Sequence, residues 1–150
     1  MANKTFYDLS VSESLCQSLE KLGIKEPTPV QAEAIPALRN GKDTIVQAQT
    51  GTGKTLAFLL PIYDRIKVQA DNIQTLILTP TRELTLQIAK VAAQLGKANG
   101  VRSLAIYGGQ DIERQKQKLG REPHVIIGTP GRILDHMRRK TITFANTNRI

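Results

Sequence analysis

Tryptophan is absent from this 150-residue chain, and only three tyrosines and three phenylalanines are present. A module that stacks bases on a platform of aromatic rings has too few rings here. A nucleic acid bound to this chain would be held mainly through phosphate and sugar. The single cysteine, Cys16, excludes an intrachain disulfide and fits a reducing, cytoplasmic setting. Its neighbours Leu15, Leu19 and Leu22 make it a small core residue rather than a nucleophile. No apolar run reaches the roughly 20 residues of a membrane span. The opening Met1-Ala2-Asn3-Lys4-Thr5 leads into no signal-peptide core, so no membrane partner is expected. Acidic residues are scarce: 13 Asp and Glu against 21 Lys and Arg give a net charge of +8. That balance suits a polyanionic partner, and it equally suits a solubilising surface. At 40% hydrophobic residues the chain is globular and long enough for one domain with a core.

What is present centres on Ala48-Gln49-Thr50-Gly51-Thr52-Gly53-Lys54-Thr55. The apolar run Thr44-Ile45-Val46 precedes it and the helical pattern Leu56-Ala57-Phe58-Leu59-Leu60 follows. A glycine loop between strand and helix turns backbone N–H groups inward at a helix N-terminus, which suits a triphosphate. Lys54 can reach the β- and γ-phosphates, and the Thr55 hydroxyl can ligate Mg²⁺.

Around this loop the chain reads as two helices followed by alternating strands and helices. Ser10-Val11-Ser12-Glu13 has the form of a capping box with Ser10 as N-cap. Gly23 is placed to close that helix in a left-handed conformation. Thr28-Pro29 starts a second helix, which Pro36 should kink or divide. Strands are predicted near 43–47, 74–79, 102–107 and 124–128, and helices near 54–68, 82–98, 111–119 and 131–139. The nearly continuous apolar runs at 75–79 and 124–128 argue for a parallel sheet covered on both faces, hence an α/β fold. The run Arg138-Arg139-Lys140 marks a helix C-terminus. The predicted organisation is 1–40 as N-terminal helices and 41–150 as the phosphate-loop core, one domain overall.

Three strand exits stand out. Thr79-Pro80-Thr81-Arg82 and Thr129-Pro130-Gly131-Arg132 form matched Thr-Pro-X-Arg tetrads where a strand hands over to a helix. Each offers free helix N–H groups, a hydroxyl and an arginine, a set suited to phosphate, although simple capping explains either one alone. The remaining exit, Tyr107-Gly108-Gly109-Gln110, second of the three in chain order, permits close backbone approach or forms an ordinary turn. In a right-handed parallel sheet these exits share the carboxyl edge with the phosphate loop.

Together with one further element, these motifs resemble the DEAD-box family of ATP-dependent RNA helicases. That element is Gly23-Ile24-Lys25-Glu26-Pro27-Thr28-Pro29-Val30-Gln31, with Phe6 seventeen positions before Gly23. It resembles the family's Q motif and upstream aromatic. The phosphate loop AQTGTGKT, PTREL at 80–84, the glycine pair 108–109 and TPGR at 129–132 follow in order. The resemblance covers essentially the whole chain. It implies a RecA-like three-layer α/β fold with a mostly parallel sheet, ATP and Mg²⁺ as cofactors, and RNA as partner. It also implies that Gln31 reads adenine through its amide, that Phe6 stacks on the base, and that residues 48–55 hold the phosphates. Pro80, Thr81, Arg82, Gly108, Gly109, Thr129, Pro130, Gly131 and Arg132 would meet the RNA backbone largely without regard to sequence. Glu83 would support its loop.

The family's Asp-Glu-Ala-Asp tetrad does not occur in these 150 residues. Asn148-Arg149-Ile150 has the look of the strand that would deliver it, so the sheet is expected to be incomplete at its C-terminal end. The Ser-Ala-Thr motif and the second RecA-like domain, the implied partner that supplies arginine fingers, are not in the sequence either. The expectation is an RNA-stimulated ATPase that locally separates duplexes in the parent protein. The piece itself would bind ATP and RNA weakly, would not turn ATP over, and would be fragile or self-associating. Two alternatives stay open: a non-catalytic RNA-binding module, and another phosphate-loop NTPase such as a DNA helicase or a kinase.

Overall fold

The computed structural model describes residues 3–150. It divides into two compact units, one running to Arg65 and one from Ile66 to Ile150. The first therefore holds the predicted Q motif and the phosphate loop together. The second holds all three Thr-Pro and Gly-Gly strand exits.

The N-terminal unit contains α1 (Glu13–Lys21), α2 (Pro29–Arg39) and α3 (Lys54–Tyr63). α1 starts later than the capping-box spacing predicts, because Ser12 and not Ser10 is its N-cap. Ser10 lies at φ 61° inside a turn, its N–H bonded to the Tyr7 carbonyl at 2.9 Å. Burial of Phe6, Leu9 and Val11 holds that turn, and the helix can begin only after it. The Ser12 N–H instead reaches Asp64 Oδ1 at 3.3 Å, and Asp64 also pairs with Arg39. One carboxylate thus joins the start of α1 to the ends of α2 and α3. Gly23 closes α1 as expected, at φ 78°, with Gly23 N–H on Glu20 O and Ile24 N–H on Leu19 O, both at 2.9 Å. Pro36 does not divide α2, which runs unbroken through it. α3 ends at Tyr63, short of the predicted 68.

Residues 43–47 do not form the predicted strand. They are irregular, without a ladder partner among the described residues, and Ile45 is 100% exposed. A strand is stable through its neighbours' backbone groups and a covered face, and an apolar run alone supplies neither.

The second unit is built on three parallel strands, β1 (Thr75–Leu78), β2 (Ser103–Ile106) and β3 (Val125–Gly128), in the order β1-β3-β2. The register pairs Thr75 with Val125 and Leu78 with Gly128 on one side, and Ser103 with Val125 and Ile106 with Gly128 on the other. The outer edge of β1 takes a single parallel bridge from Arg149. Helices α4 (Arg82–Asn99), α5 (Ile112–Leu119) and α6 (Pro130–Arg138) connect the strands. By the right-handed crossover rule, β1-α4-β2 and the returning β2-α5-β3 carry their helices on opposite faces, and Ile133 of α6 and Leu119 of α5 pack into one core. Central β3 is fully covered, with Val125, Ile126 and Ile127 at 0% exposure, each worth about 1.5–3 kcal/mol relative to an exposed position. Leu76, Ile106, Ile126 and Ile133 form the inner core, flanked by Ile73, Leu104, Leu119 and Phe144. This is the α/β architecture with a parallel sheet and flanking helices that the apolar runs predict.

Candidate functional site: a phosphate loop and three strand exits

In the N-terminal unit the loop of residues 48–53 opens directly into α3. Gly53, its last residue, is left-handed at φ 90°, and Gly51 sits at φ 82°. A side chain at position 53 would strike the Gln31 amide, so only glycine lets the loop lie against α2. The N–H groups of Gly51, Thr52, Gly53, Lys54 and Thr55 make no backbone hydrogen bond among the described residues. Several free donors converge there on one helix N-terminus, which suits an anion. Thr52 Oγ1 donates to Gln49 O at 2.7 Å and stiffens the loop. Lys54 Nζ donates to Ala48 O at 2.5 Å, so its ammonium arches over the loop. Thr55 is half-buried at the first turn of α3.

Gln31 is committed inside the protein. Its Oε1 accepts the Thr28 N–H at 3.0 Å, the N3-to-N-cap half of a capping box on α2. Its Nε2 donates to Gly53 O at 3.0 Å, and Thr28 Oγ1 donates to Thr52 O at 2.8 Å. Gln31 is 2% exposed. The predicted adenine reader is thus the buried strut between α2 and the phosphate loop. Phe6, the predicted stacking ring, is 3% exposed and would have to move to present a face to a base.

In the second unit the three predicted strand exits lie side by side at the carboxyl edge of β1, β3 and β2. Thr79 N–H donates to Gly128 O at 2.9 Å, tying the first exit to the third. Thr129 N–H donates to Ile106 O at 3.1 Å, tying the third to the second. The candidate residues Pro80, Thr81, Arg82, Gly108, Gly109, Pro130 and Gly131 are exposed, and Thr129 and Arg132 are half-buried. The Arg82 guanidinium stands 5.1 Å from the Tyr107 ring centroid, a cation–π contact between the first exit and the second.

The two Thr-Pro-X-Arg tetrads, matched in sequence, are not equivalent in space. Thr79 is buried, sharing a hydroxyl–hydroxyl bond of 2.5 Å with Thr85, so α4 begins only at Arg82 with Thr81 as its cap. Thr81 Oγ1 accepts the Leu84 N–H at 3.2 Å. After Thr129 the helix starts at once with Pro130, and Thr129 makes no side-chain cap bond. Arg82 is therefore the first residue of its helix and Arg132 the third. Glu83 lies exposed in the first turn of α4, complementing its dipole.

Three residues that shape this edge were not singled out by the sequence: Thr85, Gln115 and His136. Gln115 and His136 are 1% and 0% exposed. A signal for both was available. Gln115 lies three residues after Ile112 and four before Leu119 on an otherwise polar helix, and His136 follows Ile133 by three, so each polar residue occupies an inward position. Burial, and next the Arg132 charge, hold the His136 imidazole below its ordinary pKa, with Asp135 opposing. His124, also 0% exposed, is lowered by burial and by Arg102. Among the described residues no group of three His, Cys, Asp or Glu could hold a metal by itself.

A glycine loop ending in Lys-Thr at a helix start, and a parallel sheet with three loops gathered at its carboxyl edge, define a phosphate-loop α/β domain. The chain belongs to the DEAD/DEAH box helicase family, whose pattern matches residues 28–149. It is 51% identical over 146 residues to the DEAD-box ATP-dependent RNA helicase CshA of Bacillus cereus (strain ATCC 10987), covering 97% of this chain and 28% of that protein. Identity to the Bacillus subtilis (strain 168) protein of the same name is 44%, covering 97% of this chain and 30% of that one. The chain thus spans less than a third of the length of these curated relatives. Among solved structures, a DEAD box protein from the hyperthermophile Methanococcus jannaschii superposes with a TM-score of 0.88 at 36% identity, over 98% of this chain and 40% of that one. A hypothetical ATP-dependent RNA helicase from Sulfolobus tokodaii gives 0.81 at 32% identity, over 90% and 39%. These neighbours identify the fold as RecA-like.

Proposed function

We propose that this chain is the first RecA-like domain of an ATP-dependent RNA helicase, with ATP at the phosphate loop and an RNA backbone along the strand exits. One observation carries the reading. Three loops that expose Thr81, Arg82, Gly108, Gly109 and Gly131, with Thr129 and Arg132 half-buried beside them, are locked to one another by backbone hydrogen bonds at a single sheet edge. Such an edge offers N–H groups, hydroxyls and guanidinium to successive phosphates while presenting no aromatic stacking platform and few groups suited to reading bases. Its contacts are therefore indifferent to sequence.

The free N–H groups at the start of α3 fit a triphosphate. Residues 48–53 and Lys54 would hold it, and Thr55 would share Mg²⁺ with the nucleotide. Bound ATP supplies the phosphoanhydride whose hydrolysis resets an RNA clamp in the whole protein. Gln31 would read adenine by trading its Gly53 bond for the base edge, favouring ATP over GTP. These 150 residues contain no carboxylate pair suited to orient water and hold metal through water, so the chain assayed alone is expected to hydrolyse ATP at background. In isolation it acts as a binding module.

The test is fluorescence titration of the 150-residue chain. Lys54→Ala should abolish binding of a fluorescent ATP analogue. Arg82→Ala with Arg132→Ala should weaken oligouridylate binding by at least tenfold, with RNA preferred over DNA of the same sequence. RNA-stimulated phosphate release that depends on Lys54 would overturn the binding-only account of the isolated chain. Nucleotide affinity unchanged in Lys54→Ala would overturn the nucleotide assignment.

A further inference from the structure

We infer that Gln115, seated by His136, is a positioning residue that presets the glycine pair and Arg132 for RNA. The inference rests on the RNA reading of this edge. The Gln115 amide meets four partners. Its Nε2 donates to Tyr107 O at 2.9 Å and to Gln110 Oε1 at 3.2 Å. Its Oε1 lies 2.7 Å from His136 Nε2 and 3.4 Å from Arg132 NH1. Two carbonyl-type acceptors on one side and an arginine donor on the other allow only one orientation of the amide.

That orientation fixes the imidazole. An amide oxygen only accepts, so His136 Nε2 carries a proton. In the neutral ring Nδ1 then accepts the Thr141 hydroxyl, 2.7 Å away. Burial keeps the ring neutral despite Asp135, and the charges of Arg132, Arg139 and Lys116 act in the same direction as burial. Gln115 therefore faces a fixed donor and Arg132 from α6 on one side and the single loop 107–110 on the other. The same loop continues the chain of bonds: Gln110 Nε2 donates to the Tyr107 hydroxyl, and Arg132 NH1 donates to Gln110 O at 3.1 Å.

The consequence falls on the glycine pair. Gly108 and Gly109 are exposed, Gly109 has φ 87°, and nothing within 4 Å would meet a side chain at Gly108. Such a pair loses much backbone freedom on binding unless it is already ordered. Gln115 holds the carbonyl just before the pair and, through Gln110, the residue just after it. It also occupies one arm of Arg132 and leaves the remaining guanidinium nitrogens for phosphate.

The test uses the ¹⁵N-labelled 150-residue chain and two variants, Gln115→Met, which keeps the volume, and Gln115→Glu, which keeps the acceptor but cannot donate. Without RNA, the order parameters of Gly108 and Gly109 should fall from about 0.85 to below about 0.6 in both variants, while Ile126 and Ile127 stay rigid. With oligouridylate, affinity should drop about tenfold, the equivalent of one well-formed hydrogen bond. Affinity for a fluorescent ATP analogue should not change. Unchanged glycine order, full rescue by Gln115→Glu, or equal loosening of β3 would each overturn the inference. If Arg82→Ala and Arg132→Ala leave oligouridylate binding intact, the RNA reading fails instead, and the glycine order parameters still judge Gln115 on their own.

Discussion

Removing the Gln31 amide should destabilise the N-terminal unit before any nucleotide is considered. Gln31→Ala deletes the bond to Thr28 N–H and the bond to Gly53 O, both 3.0 Å long and made by a residue 2% exposed. Each is worth about 1 kcal/mol net, and the first also caps α2. Thr28 is half-buried, so water can reach its freed N–H and the loss stays near the sum, about 2 kcal/mol. For a chain of this size that lowers the thermal midpoint by roughly 4–8 °C. Gln31→Glu keeps the acceptor for Thr28 but sets a buried carboxylate oxygen against the Gly53 carbonyl, so it should cost at least as much. Circular dichroism melts of the three proteins at one concentration measure this. Under the proposed function the same variants also lose discrimination between ATP and GTP, read with fluorescent analogues. A Gln31→Ala midpoint within about 1 °C of the parent would refute the strut between α2 and the phosphate loop.

Three further outcomes are expected. His124 and His136 both have folded pKa values below 6.5, so the unfolded chain takes up protons first as pH falls. Stability is therefore complete above about pH 6.5 and is lost progressively below it; a midpoint that rises on acidification to about pH 5 would contradict the assignment, and His124→Gln should make the loss shallower. Gly128→Ala drives a Cβ into the Ile106 carbonyl and to 2.8 Å from Ile133 Cδ1, and disturbs the bond from Thr129 N–H. It should cost about 2–4 kcal/mol in urea unfolding, whereas Gly131→Ala, with nothing within 4 Å, should be near neutral. Thr85→Val should cost about 1–2 kcal/mol, since it removes a hydroxyl bonded to Thr79 and to Thr81 O, and it should loosen the first strand exit relative to the third.

Much of the site was legible because its signals are short-range. The positive φ of Gly51 and Gly53, Thr28-Pro29 at a helix start and Thr-Pro at a strand exit are properties of a few adjacent residues. The misplaced Ser10 cap shows the limit. Ser-x-x-Glu has the right letters, yet the buried turn of Phe6, Leu9 and Val11 had already fixed Ser10 in a left-handed conformation. The paired tetrads show it again. Identical spacing produced helices starting two residues apart, because Thr79 found Thr85 and Gly128 O while Thr129 did not.

By itself the sequence determined the alternation of strands and helices from 75 onward, the parallel sheet and the positions of the glycine loop and the three strand exits. Apolar periodicity, glycine and proline act over neighbouring residues and leave local traces. Only the tertiary structure decided that residues 43–47 carry no ladder, that Gln31 braces the phosphate loop, and that Gln115 joins His136 to the glycine pair. Each of these depends on partners distant in the chain, and a hydrogen bond is specified by the group that arrives in space to complete it.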